Sequence, residues 1–153
     1  MAAAIPIIRL YGVLLVAIQV ELSDTLVKSL RSDLGSKIQR GGVRGVILEL
    51  SGVDTFDTYI ARSLRDIAQI ARLMGVRTVI TGLDPAIAIT LVEMGMQLEG
   101  VATTVSLEDA LDLLLPYGLG RRPQRARDDE LLLDEPDQSD DGLFDADELD
   151  EAT

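Results

Sequence analysis

An α/β fold with a mixed, mostly parallel sheet is what this sequence predicts, on three observations. Short apolar runs of strand length alternate with longer stretches whose apolar residues recur every three or four positions. The helical stretches open on Ser, Asp or Asp-Pro, and most of them close on glycine. The apolar content, 47 %, is almost all aliphatic, with three Tyr, two Phe and no Trp. A core of Leu, Ile, Val and Ala suits helices packed on a sheet.

Taken in order, Ile5 to Leu10 and Val13 to Gln19 read as two short strands. Tyr11-Gly12 joins them as a hairpin, and Pro6, which has no N–H to donate, suits an edge. Ser23 or Asp24 caps a helix from about Thr25 to Gln39, with Leu26, Leu30, Leu34 and Ile38 as its inner stripe. Gly41-Gly42 stops it, and Val46 to Leu50 follows as a buried strand. The next helix spans about Thr58 to Met74, with Ile60, Leu64, Ile67, Ala68, Ala71 and Met74 inward and Gly75 as its stop. Arg77 to Thr81 is a strand. Asp84-Pro85 pairs an N-cap residue with proline at the first helical position, starting a helix with Ile87, Leu91 and Val92 inside and Gly95 at its end. Val101 to Val105 reads as a further central strand. Ser106 with Asp109 resembles a capping box ahead of a last helix, and Pro116 and Gly118 close the domain. Repeated strand-helix units require crossover connections and hence parallel pairing, with the N-terminal hairpin making one edge antiparallel.

The chain is long enough for one domain, expected over residues 1–118. The net charge of −12 is unevenly spread: residues 1–120 hold 13 acidic and 10 basic residues, and residues 128–153 hold 13 acidic and none basic. Between them lies an Arg-rich linker with Arg121, Arg122, Arg125 and Arg127. Residues 119–153 have too little apolar content to offset chain entropy and are expected to be disordered; Leu131 to Leu133 and Leu143-Phe144 could dock on a partner, although a solvated tail is the plainer reading. The body has no concentrated basic stripe, which argues against nucleic acid as a partner. Val13 to Val20 is too short to span a bilayer, and no signal peptide is visible, so a cytoplasmic location without membrane contact is expected.

There is no Cys and no His, which removes thiolate chemistry, the commonest general base and the commonest metal ligand. Glu49, Asp54, Asp57 and Asp66 have no basic or imidazole neighbour that would make them an acid-base or metal cluster. We therefore expect no enzyme, no cofactor and no metal. The most informative segment is Asp54-Thr55-Phe56-Asp57-Thr58-Tyr59-Ile60-Ala61, which follows a strand and opens a helix. Local chemistry favours Asp57 or Thr58 as a helix cap, but Thr58 can also accept a phosphate, which a helix N-terminus partly accommodates and the nearby aspartates repel. Asp24-Thr25 repeats the pattern. Thr81-Gly82-Leu83-Asp84-Pro85 is a tight turn; as an anion cradle it lacks the glycine density and lysine of a P-loop.

Val53 to Ala61 resembles the STAS domain of anti-sigma-factor antagonists. Four further segments, Ile5 to Tyr11, Leu15 to Gln19, Leu73-Met74-Gly75 and Thr81 to Ala88, make the resemblance one to the RsbS-like scaffold proteins of the bacterial stressosome. It covers about residues 5–118. The resemblance implies a STAS fold with about four helices and a place in a large homo- or hetero-oligomeric particle with RsbR-type STAS paralogues. It further implies retention of an RsbT-type serine/threonine kinase, released when the scaffold is phosphorylated, with an RsbX-type phosphatase as a further partner. Asp57-Thr58 matches the family's acceptor pair, with threonine where RsbS usually has serine, and Thr25 matches a second acceptor of RsbR-type proteins. Asp54, Thr55, Phe56, Asp57, Tyr59 and Ile60 are the implied kinase-facing residues. Two alternatives remain: a free antagonist of SpoIIAA type bound to an anti-sigma kinase, and a nucleotide or small-molecule sensor using Thr81 to Pro85.

Overall fold

The computed structural model describes residues 4–116. The expected domain end at residue 118 and the acidic segment 119–153 lie outside the described residues. Nine elements follow the predicted order: β1 (Ile7–Leu10), β2 (Val13–Ala17), α1 (Asp24–Gln39), β3 (Gly45–Glu49), α2 (Thr58–Leu73), β4 (Thr78–Thr81), α3 (Pro85–Glu93), β5 (Ala102–Thr104) and α4 (Leu107–Leu114). They build one five-stranded sheet in the order β1-β2-β3-β4-β5. β1 runs antiparallel to β2, and the remaining pairs are parallel. β5, expected to be central, is therefore an edge strand, three residues long with no buried residue.

The two-residue loop of the β1–β2 hairpin has positive φ at both positions, 52° at Tyr11 and 82° at Gly12. That is the turn whose twist matches paired strands. Tyr11 tolerates it at an exposed site.

Alternation along the strands divides the core between the two faces of the sheet. Leu14, Val16, Val46, Leu48 and Ile80 point to one face, where α1 packs with Val27, Leu30, Leu34 and Ile38 and α2 with Ile60, Leu64, Ile67 and Ala71. Val13, Ile47 and Val79 point to the other, under Ala110 and Leu111 of α4. α3 joins the side of α2, where Ile87 and Leu91 meet Ala61.

Three expected inner positions differ. In α1, Val27 is buried where Leu26 was expected, and Leu26 is half-buried. Met74 is the C-cap of α2, beyond its last helical residue, and is 40 % exposed. Val92 is 79 % exposed, since α3 buries the face of Ile87 and Leu91 and Val92 lies about 100° round the helix from that face.

Candidate functional site

β2, β3 and β4 each lead at their C-terminal ends into a helix, so α1, α2 and α3 all begin at one end of the sheet. Loops at the carboxyl ends of parallel strands are where α/β folds commonly place their binding sites. The segment singled out in the sequence lies there.

Its conformation follows from which side chains turn inward. After β3, Val53 N–H donates to Leu50 C=O at 2.9 Å, turning the chain. Val53 and Phe56 pack against the core as partly buried side chains. Asp54, Thr55, Asp57, Thr58 and Tyr59 are left exposed. Gly52 eases this path: a Cβ there would lie 3.2 Å from Gln19 Cα and 3.3 Å from Ile18 C=O, tighter than ordinary contact, so a larger residue would push the two loops slightly apart. Between them is a groove of about 320 Å³, lined by Val20, Leu22, Val53, Asp54, Tyr59 and Ile60 with their neighbours.

At the helix start, Asp57 is the cap. Its backbone is extended and its Oδ1 accepts from Ile60 N–H at 2.8 Å. Thr58 is the first helical residue and does not cap; it is exposed, and its hydroxyl has no hydrogen bond among the described residues. The question left by the sequence, Asp57 or Thr58, is thus answered for Asp57.

Thr25 occupies a related place. Ser23 Oγ caps α1 by accepting from Leu26 N–H at 3.3 Å, so Asp24 is the first helical residue and Thr25, exposed, the second. The two helix starts are tied together: Tyr59 Oη donates to Asp24 Oδ1 at 2.5 Å. That bond raises the Tyr59 pKa above its ordinary value, with a smaller contribution from desolvation. A second link lies further along, where Arg31 Nη2 meets Asp66 Oδ2 at 3.1 Å.

Of the six expected kinase-facing residues, the structure therefore places Asp54, Thr55, Asp57 and Tyr59 on the surface around Thr58. Phe56 is an anchor, and Ile60, 8 % exposed, belongs to the inner wall of the groove. Asp24 as a partner of Tyr59 was not foreseen. Nothing in local sequence pairs two residues 35 apart, although each sits beside a threonine at a helix start.

The Thr81 to Pro85 turn is a poor cradle for an anion. Gly82 has φ 77°, but Glu49 Oε1 lies 2.6 Å from where its Cβ would be. The same oxygen accepts from Ser51 N–H at 2.9 Å, which holds the carboxylate in place. Among the described residues, no group of three or more His, Cys, Asp or Glu is arranged to hold a metal ion, and no helix is long and apolar enough to cross a membrane.

The STAS domain model matches residues 4–110, and this chain belongs to the STAS family. Within that family it is RsbS-like. A serine-to-glutamate variant of RsbS from Moorella thermoacetica is 35 % identical with a TM-score of 0.62, over 72 % of this chain and 93 % of that one. A chain in the molecular architecture of the stressosome, described as a signal integration and transduction hub, is 34 % identical with a TM-score of 0.60, over 71 % of this chain and 95 % of that one. The RsbT co-antagonist protein RsbRC of Bacillus subtilis strain 168 is 35 % identical over 69 residues, 45 % of this chain. This chain spans only 24 % of that longer relative.

Proposed function

We propose that this chain is a non-enzymatic stressosome scaffold that retains an RsbT-type serine/threonine kinase at the surface around Thr58 and releases it when Thr58 is phosphorylated. In this reading it assembles with an RsbR-type STAS paralogue into a large cytoplasmic particle, and an RsbX-type phosphatase resets it. The observation that carries the proposal is the division of labour at the start of α2. Asp57 caps the helix, which leaves the exposed Thr58 hydroxyl available for modification without loss of the cap. The likeness to RsbS over nearly its whole length supports it. So does the likeness to a protein named as a co-antagonist of RsbT. Thr25, exposed and joined to the same surface through Asp24 and Tyr59, is the second acceptor in this scheme.

The test is incubation of the full chain with an RsbT-type kinase and ATP, with the phosphate located by mass spectrometry. Thr58 is the expected site, and Thr58→Ala is expected to keep the kinase bound under the same conditions. A protein unmodified at Thr58, or a Thr58→Ala variant that releases kinase normally, overturns the proposal. Light scattering after mixing with an RsbR-type paralogue separates scaffold from free antagonist. Megadalton particles are expected; a small complex with an anti-sigma kinase and no particle would place the chain beside SpoIIAA.

A further inference from the structure

A second polar region lies at the other end of α2 from Thr58. A trough runs between that helix, the start of β4 and the 95–101 connection into β5. Its deeper part encloses about 280 Å³ and is lined by Arg65, Arg72, Arg77, Thr78, Glu99 and Gly100, among others. A shallower continuation reaches Arg31 on α1. Three of the 10 basic residues in the first 120 thus converge on one pocket facing a single lining carboxylate.

These arginines are poorly matched by the protein itself. Arg72 and Arg77 have no ion pair among the described residues, and Arg65 makes only a 3.9 Å contact to Asp66, which already pairs with Arg31. Among the described residues, three buried side-chain polar atoms lack a hydrogen-bond partner: Arg31 Nε, Thr78 Oγ1 and Thr81 Oγ1. Two of the three belong to residues lining this trough, and Thr78 is 4 % exposed. Such atoms are uncommon in native proteins and ask for a partner. Gly100, whose φ of 75° favours glycine, borders the pocket, with Arg72 Nη1 lying across it 2.9 Å from where a Cβ would be. Complementing the C-terminal dipole of α2 accounts for Arg72 alone, and neither for Arg77 nor for the unpartnered hydroxyl.

We propose that this trough binds a small phosphate monoester. Guanidinium groups recognise phosphate oxygens through paired, charge-assisted hydrogen bonds. Glu99 would repel a bare anion but can accept from a hydroxyl on the organic part of an ester. The volume of about 280 Å³ falls just short of about 300 Å³, at which sites for drug-sized molecules begin, and this suits a small ligand.

The test is an amide NMR titration of the full chain with ribose 5-phosphate, inorganic phosphate and, at matched ionic strength, sodium chloride. Ribose 5-phosphate is expected to give saturable shifts at Gln69, Arg72, Thr78 and Gly100 with a Kd of about 1 mM or tighter. Inorganic phosphate is expected to bind more weakly. Arg72→Ala and Arg77→Ala should each weaken binding about tenfold. Arg72→Lys, which keeps the charge and stem but not the fork, should fall between, and Arg62→Ala, on the same helix outside the trough, should bind normally. Shifts that fail to saturate, that chloride reproduces, or that persist in a natively folded Arg72→Ala/Arg77→Ala variant overturn the proposal. Inorganic phosphate binding as tightly as the ester also overturns it. Should the alanine variants not fold, undiminished binding by Arg72→Lys decides against it.

Discussion

At the scale of single residues, the start of α2 separates two jobs that one threonine could have done together. Asp57 supplies the acceptor for Ile60 N–H, and Thr58 supplies none. Replacing an N-cap aspartate with alanine typically costs about 1 kcal/mol, whereas an exposed substitution away from such features stays within about 0.5 kcal/mol. Asp57→Ala is therefore expected to lower the melting temperature by roughly 4–8 °C, and Thr58→Ala to leave it nearly unchanged in calorimetry. Equal losses from the two would mean that the hydroxyl shares the cap. Tyr59 gives a second residue-level expectation. Its hydroxyl donates to Asp24, so in the folded protein it holds its proton above the ordinary tyrosine value of about 10. The contribution of that bond is complete below the unfolded value and is lost as pH rises through the raised folded one. The difference in ultraviolet absorbance between the native chain and Tyr59→Phe should show one phenol titrating above the ordinary range, and Asp24→Asn should bring it back down. A Tyr59 that titrates normally with Asp24 intact would mean the two helix starts are not joined in solution.

At the scale of elements, most of the architecture was legible because it rests on periodicity and on caps that act locally. Ser23, Asp57, Asp84 and Ser106 each cap the helix that their position announces. What was not legible depends on how an element sits against its neighbours. Val92 extends the apolar run of α3, yet it faces outward because it lies about 100° round the helix from Leu91 and about 140° from Ile87, off the buried face. Val101 to Val105 has the composition of an interior strand, but a sheet order cannot be read from one strand's own residues, and β5 closes the edge. Even the last capping box differs in detail: Ser106 Oγ accepts from Asp109 N–H and donates to Asp109 Oδ2 rather than leaving that carboxylate to the backbone. The candidate site was legible in its outward residues, while the Asp24–Tyr59 bond needed the tertiary packing of α1 on α2. The distinction between periodic and buried is measurable. Leu64, fully buried on the inner face of α2, should cost about 2–5 kcal/mol on replacement by alanine. Val92→Ala should stay within about 0.5 kcal/mol. Urea unfolding of the two variants measures both, and comparable losses would mean that α3 contacts the core through more than Ile87 and Leu91.

At the scale of the whole molecule, the starts of α1 and α2 gather Asp24, Asp54 and Asp57 on one exposed surface beside Thr25 and Thr58. Phosphorylation of Thr58 adds about −1.5 to −2 charges there. The helix N-terminus offsets part of that charge, and the surrounding core does not change, so the modified protein should keep its circular dichroism and melt cooperatively. A partner held against this surface experiences the charge directly. Thr58→Asp adds one charge and lacks the phosphate's further oxygens. Retention of an RsbT-type kinase is thus expected to fall in the order unmodified, Thr58→Asp, phosphorylated. If repulsion is the cause, the differences must shrink with salt, because the screening length drops from about 10 Å at 0.1 M to about 3 Å at 1 M. Kinase retention measured across that range, with all three forms side by side, distinguishes the mechanisms. Differences that converge at high salt are the expected result. Differences that persist undiminished would mean that the phosphate acts by shape, blocking the groove between Val20 and Tyr59, and not by charge.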